Sequence, residues 1–211
     1  MYQNRTVLPM KKIVIIDYGL GNLRSVQKGL EHAGAEVTIS KDPADLESAD
    51  GVILPGVGAF SDAMKNIVPF LDGIHKYVGS GKPVLGICLG QQMLMSHSEE
   101  GGLTDGLDLV PGMVLRFPHS ELKVPHMGWN ALSIEQDHPF YEGIEDGAFV
   151  YFVHSYYVDT DASHTLASCE YGVNFAASVV NSTGNVIGTQ FHPEKSGDIG
   201  LKMLDNFVGM C

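Results

Sequence analysis

The chain has 211 residues, 44% of them hydrophobic, and a formal net charge of −12. This is enough apolar material for one full core, and it excludes a disordered chain. The acidic balance excludes a nucleic-acid partner, which needs clustered Lys and Arg, and no apolar run is long enough to span a bilayer.

Residues 1–11 read as an extension before the first strand. They lack the apolar stretch of a signal peptide, and Met10 is an alternative start. Residues 12–211 read as a single domain. Residues 12–17 form an apolar strand, and 22–33 an amphipathic helix. Residues 36–40 and 51–54 are further strands. Residues 60–77 read as a helix that Pro69 must kink or split. Residues 83–87 make a fourth strand, and a run compatible with a helix begins at Leu89. Uninterrupted apolar strands alternating with helices imply a parallel sheet covered on both faces. From residue 113 onward the pattern changes. Residues 113–117, 149–158, 165–171, 175–181 and 185–191 are strand-like with short turns, and Ser182-Thr183-Gly184 suggests a hairpin. A closing helix over 198–208 carries Ile199, Leu201, Leu204, Phe207 and Val208 on its apolar side. The expected fold class is α/β, with a mostly parallel central sheet flanked by helices and an additional antiparallel β region.

The most informative segment is Gly86-Ile87-Cys88-Leu89-Gly90. Cys88 stands at the sharp turn between a strand and a helix, with glycines two positions to either side. Such an elbow pushes a nucleophile outward at the C-terminal edge of a sheet, and a helix N-terminus beside the sulfur favours the thiolate. Cys169 and Cys211 are far away in sequence, so neither a disulfide framework nor a zinc site is implied. A reduced, cytoplasmic setting follows, with no metal and no cofactor expected. About a hundred residues on, Gly188-Thr189-Gln190-Phe191-His192-Pro193-Glu194 places a His and a carboxylate two positions apart. In an extended segment both point to one face, so a base and its orienting carboxylate can project together toward Cys88. Pro55-Gly56-Val57-Gly58 after the third strand can turn backbone N–H groups toward an anion, though an ordinary turn reads the same way. Gln92 lies one helical turn past Cys88, and Glu100 just beyond that helix. His75, His97, His119 and His138 are scattered without ligand spacing.

The cysteine and His-x-Glu segments resemble the class I, triad-type glutamine amidotransferases. Asp17 to Asn22, Leu54 to Phe60, Lys123-Val124-Pro125-His126-Met127-Gly128-Trp129-Asn130 and Tyr151 to Tyr157 narrow this resemblance. They are similar to the glutaminase subunits of imidazole glycerol phosphate synthases, from about Lys12 to the C-terminus. Gln91 departs from the family pattern, which often has Met there. The resemblance implies that Cys88 attacks the side-chain amide of glutamine, neutral His192 takes and returns protons, and Glu194 orients it. It also implies an oxyanion hole from Gly58 and Leu89, and a glutamine site from Gly56, Gln92, Glu100, His154, Ser155 and Tyr156. Asn22, Trp129, Tyr151 and Lys195 would face a (β/α)8-barrel cyclase subunit in a heterodimer that uses the ammonia in histidine biosynthesis. Trp129 as a core aromatic and Tyr151 as an ordinary strand residue remain open readings. So do a glutaminase serving another ammonia-using synthase, and a non-catalytic protein on the same fold.

Overall fold

A computed structural model describes residues 10–119 and 122–211, so the extension assigned to 1–11 lies almost wholly outside the described residues. The N-terminal half alternates strand and helix: β1 (Lys12–Ile16), α1 (Leu23–His32), β2 (Glu36–Ser40) and β3 (Gly51–Leu54). There follow α2 (Phe60–Ile67), α3 (Leu71–Gly79), β4 (Val84–Ile87) and α4 (Leu89–Leu94). Pro69 lies in a 3-10 turn, Val68–Phe70, that separates α2 from α3. With no N–H to donate, it cannot continue an α-helical ladder. α4 is only six residues long, because Met95–Ser98 continues as a strand, β5, that the apolar pattern does not announce.

The second half is strand-rich: β6 (Thr104–Asp105), β7 (Val110–Arg116), β8 (His126–Ala131), β9 (Ser133–Ile134) and β10 (Phe149–His154). Then come β11 (Tyr156–Asp159), β12 (Thr165–Glu170), β13 (Asn174–Val180), β14 (Val186–Thr189) and a closing helix α5 (Gly197–Met210). In the large sheet the strands run β2-β1-β3-β4-β14-β13-β11-β7-β5-β6, with β12 and β9 branching from β13. The flank from β2 to β14 is parallel throughout. From β14 through β13 and β11 to β7 the pairing is antiparallel, and β13 and β14 form the expected hairpin. β8 and β10 form a separate antiparallel ribbon.

The single strand expected over 149–158 is two strands in different sheets. The chain turns at Ser155, so β10 pairs with β8 while β11 pairs with β7 and β13. Both pieces carry the same aromatic-rich composition, so the boundary is invisible in sequence.

The core lies on both faces of the large sheet, and β1 shows why. Ile13 and Ile15 pack into the cluster that includes Leu30, Phe152, Phe191, Leu204 and Phe207. Val14 and Ile16 join Leu54, Phe60, Met93 and Leu94 on the other face. Alternate residues of a strand point to opposite faces, so a strand buried on both sides must be apolar throughout. On α5, Met203 rather than Leu201 takes the fully buried position. The parallel strands end together, and their C-terminal edge carries the elements described next.

Candidate active site

Cys88 is the residue between β4 and α4. Its backbone has φ 55° and ψ −105°, a conformation that L side chains rarely adopt. Two close approaches hold it. A Cβ at Gly90 would lie 1.8 Å from the Leu54 carbonyl oxygen, and one at Gly86 would lie 2.6 Å from the Gly90 oxygen. No larger residue fits at either place without moving backbone. The Cys88 N–H donates to the Thr189 carbonyl at 2.7 Å, tying the elbow to β14. The sulfur is 3.6 Å from Gln190 Nε2 and 3.9 Å from the Val153 carbonyl oxygen. Cys88 is only 7% exposed. The open elbow that the sequence suggests is instead the floor of a cavity, because β10 and the turn at Ser155 close over it.

That cavity has a volume of about 350 Å3 and is lined by Val57, Gly58, Cys88, Leu89, Gln92, Glu100, Pro125, Val153, His154, Ser155 and Tyr156. The structure therefore brings Gly58, Leu89, Gln92, Glu100, His154, Ser155 and Tyr156 together around the sulfur. Gly56 does not line it. A Cβ there would lie 2.6 Å from the Leu89 Cβ and 2.8 Å from the Tyr18 hydroxyl, so Gly56 lets the loop lie flat on the elbow. The Tyr18 hydroxyl donates to the Pro55 carbonyl beneath the same loop. Glu100 reaches back to accept the Phe60 N–H at 2.9 Å, which supplies the α2 N-terminus with the side-chain cap that Ala59 cannot give.

His192 follows β14, and Glu194 sits in a 3-10 turn, Pro193–Lys195. The expected extended His-x-Glu segment is thus a turn, yet the two side chains still meet. Nδ1 of His192 is 2.8 Å from Glu194 Oε1, with both side chains at most 2% exposed. Burial opposes a charge on His192, but hydrogen bonding and the charges of Cys88 and Glu194 outweigh it and raise its pKa to about 9. These partners favour the protonated imidazole, where the sequence suggests a neutral base. Its Nε2 is buried without a hydrogen-bond partner, as is Glu194 Oε2.

His154, which lines the cavity as expected, is paired behind it with a second imidazole, His126, whose part the sequence does not announce. His154 Nδ1 is 2.7 Å from the Tyr156 carbonyl oxygen, and its Nε2 is 3.0 Å from His126 Nδ1. A carbonyl only accepts, so His154 donates from Nδ1 and accepts at Nε2 from the Nδ1–H of His126. Both rings are neutral: burial drives the pKa of His126 down to about 4 and that of His154 to about 3.

Of the four residues expected to face a partner, three cluster on one side. The Trp129 and Tyr151 rings are edge-on with centroids 6.1 Å apart, and Lys195 Nζ lies 5.9 Å from the centre of the Tyr151 ring. Trp129, Met127 and Phe149, all on the β8–β10 ribbon, are more than half exposed. Asn22 stands before α1, half-buried, and its side chain makes no capping bond.

This sequence and this fold have known counterparts. The class-I glutamine amidotransferase family matches residues 14–210. The imidazole glycerol phosphate synthase subunit HisH of Methanosarcina acetivorans is 72% identical over 202 residues, covering 96% of this chain and all of that one. The subunit of the same name from Geobacter sulfurreducens is 51% identical over 95% of this chain and all of its own. Among solved structures, PurLQS from Thermotoga maritima superposes with a TM-score of 0.77 at 24% identity, covering 95% of this chain and 99% of that one. It shares the fold. The chain belongs to the class-I glutamine amidotransferases, enzymes that hydrolyse glutamine, and within them to the HisH subunits of imidazole glycerol phosphate synthase.

Proposed function

We propose that Cys88, His192 and Glu194 are the catalytic triad that hydrolyses glutamine, and that the ammonia is passed to a (β/α)8-barrel cyclase subunit. The observation that carries the reading is the buried His192–Glu194 pair, with His192 Nε2 unpartnered beside the Cys88 cavity. With the imidazole already protonated, attack needs no prior proton transfer. The Cys88 sulfur adds to the carboxamide carbon of glutamine, and the oxyanion is met by the N–H groups of Gly58 and Leu89. His192 gives its Nε2 proton to the nitrogen, the C–N bond breaks and ammonia leaves a glutamyl thioester. His192 then takes a proton from water, the hydroxide adds to the thioester, and the C–S bond breaks to release glutamate. Gln92, Glu100, His154, Ser155 and Tyr156 hold the rest of the substrate, with Gly56 supporting the oxyanion loop.

Trp129, Tyr151 and Lys195, with Asn22, are the surface that receives the cyclase in a one-to-one heterodimer. An exposed aromatic and aliphatic patch beside the cavity supports this. In that complex the ammonia becomes part of imidazole glycerol phosphate, with aminoimidazole carboxamide ribonucleotide as the second product, in the cytoplasm. Residues 12–211 act as one domain and 1–11 as an extension. The test is Cys88→Ser in the complex, with imidazole glycerol phosphate measured from each nitrogen source. Glutamine-dependent synthesis should vanish while synthesis from ammonium salt at raised pH persists. Loss of both in an assembled complex would refute the division of labour.

A further inference from the structure

Gln190 is fully buried at the end of β14, one step past the pairing of Thr189 with Ile87, which places it beside Cys88. Its backbone N–H goes to the Ala177 carbonyl at 2.8 Å. Its side chain lies between two others: Nε2 is 3.6 Å from Cys88 Sγ, and Oε1 accepts from Gln92 Nε2 at 3.1 Å. Gln92 Nε2 also donates to the Tyr156 carbonyl at 3.1 Å. We propose that Gln190 is a positioning residue that holds the Cys88 sulfur in its attacking, anionic form by donating an amide N–H to it, with its own amide oriented by Gln92. The proposal deepens the reading of Cys88 as nucleophile and rests on it.

The direction of this chain is set at its far end. The Tyr156 carbonyl can only accept, so Gln92 must present its NH2 group there. That same nitrogen faces Gln190, so Gln190 must turn its oxygen to Gln92 and its NH2 to the sulfur. A flipped Gln190 would set two donors against each other. The wall of the cavity thus dictates which group meets the nucleophile.

Gln190 is also unlike the neighbouring buried glutamine. The Gln91 side chain donates to the Ala176 carbonyl at 3.2 Å and so serves the backbone of β13. Among the described residues the Gln190 side chain serves no backbone group; its partners are Gln92 and Cys88. A neutral thiol is a weak acceptor, whereas an N–H held toward a thiolate is charge-assisted. A buried N–H left poorly paired costs free energy, so the amide is best satisfied when the sulfur is charged. The donor adds to the attraction of the protonated His192, and unlike that proton it stays in place throughout turnover.

The experiment is the pH dependence of Cys88 alkylation by iodoacetamide in the full chain, read by peptide mass so that Cys169 and Cys211 are counted separately. Gln190→Met keeps length and volume but removes the donor. It should slow Cys88 alkylation at neutral pH about tenfold, the size of a lost hydrogen bond to a charged group, and move the curve to higher pH. The kcat for glutamine should fall in parallel, with KM shifted less than about twofold, since Gln92 keeps its bond to Tyr156. Gln190→Glu keeps the shape but sets a carboxylate beside the sulfur, and should slow alkylation further. If Gln190→Met proves unstable, Gln190→Glu carries the test. A wild-type alkylation curve in either folded variant overturns the proposal, as does loss of ammonia-driven synthesis by the variant complex, which would mark general disruption. Glutaminase surviving in Cys88→Ser would instead sink the nucleophile assignment, a separate result.

Discussion

His192 and His154 lie on either side of Cys88, both almost fully buried, and one favours the charged form while the other is neutral. Burial pushes both pKa values down, yet His192 is raised to about 9 and His154 lowered to about 3. The difference lies in their surroundings. His192 meets a carboxylate and lies near the Cys88 sulfur, whose negative charges favour a proton. His154 meets a carbonyl at one nitrogen and another imidazole at the other, which together satisfy a neutral ring. In a low-dielectric interior the neighbouring groups, not the depth, decide charge. In the proposed mechanism His192 stores a proton for the leaving nitrogen, while His154 holds a pocket lining in fixed shape without adding a second cation beside it.

The largest test of this contrast is to remove the charged member. His192→Ala should lower glutamine hydrolysis by about 10²–10⁴-fold, the usual range for loss of an acid–base group. Synthesis from ammonium salt by the complex should be unchanged. Near-normal glutaminase in this variant would show that the proton comes from elsewhere.

Next in size is Glu194→Gln. An amide oxygen can still accept from Nδ1, so the ring keeps its orientation, but the charge that favours the imidazolium is gone. The His192 pKa should fall by roughly 1–2 units from about 9, so activity should fall up to about 10–100-fold above pH 9 and no more than about twofold at neutral pH. The alkaline limb of the kcat profile should move to lower pH. An unmoved limb would mean that Glu194 acts by geometry alone.

What the sequence reveals of this site is uneven, for a physical reason. The Cys88 elbow and the His192–Glu194 contact are legible because each needs a specific residue at a specific local spacing. So is the parallel flank, where burial on both faces makes every strand residue apolar. The β8–β10 ribbon is not legible. Met127, Trp129 and Phe149 are exposed there, so its apolar residues do not mark a core face, and the switch of sheets at Ser155 leaves no mark. Gln190 and His126 escape notice because their roles depend on neighbours 102 and 28 residues away. The charge on His192 escapes for the same reason: residue type sets only its starting value.

A smaller effect is expected where the two sides of the site are bolted together. The His192 N–H donates to the Tyr151 carbonyl at 2.9 Å. The Ser196 hydroxyl donates to the His192 carbonyl at 2.6 Å and accepts the Tyr151 N–H at 3.0 Å. His192 thus shares its backbone bonds with the strand that carries His154 and the half-buried Tyr151 ring. Ser196→Ala leaves two backbone groups without this partner and should cost about 1–3 kcal/mol in unfolding free energy. Glutaminase activity should drop more than the ammonia-driven reaction. Equal loss of both would show that the tie supports the whole fold rather than the base.

The smallest effect concerns the neutral pair and is read against pH. His126 and His154 have folded pKa values of about 4 and 3, below the ordinary 6.5. The unfolded chain therefore binds more protons as pH falls below 6.5, and stability declines from there toward the folded values. His192 runs the other way: its contribution is complete below 6.5 and is lost as pH rises through about 9. The histidines together place the stability maximum near neutrality. His126→Phe sharpens this. The ring stacks between Phe152 and Tyr171, with centroids 4.8 and 3.9 Å away, so a phenyl group fits the same slot. The variant forfeits one hydrogen bond to His154, about 1 kcal/mol at neutral pH. It also removes a group that must be discharged for folding, so its acid limb between pH 6 and 4 should be shallower than that of the wild type. Denaturant unfolding across that range measures both. Parallel curves for the two proteins would mean that His126 does not titrate with unfolding, and that some other group sets the acid limit.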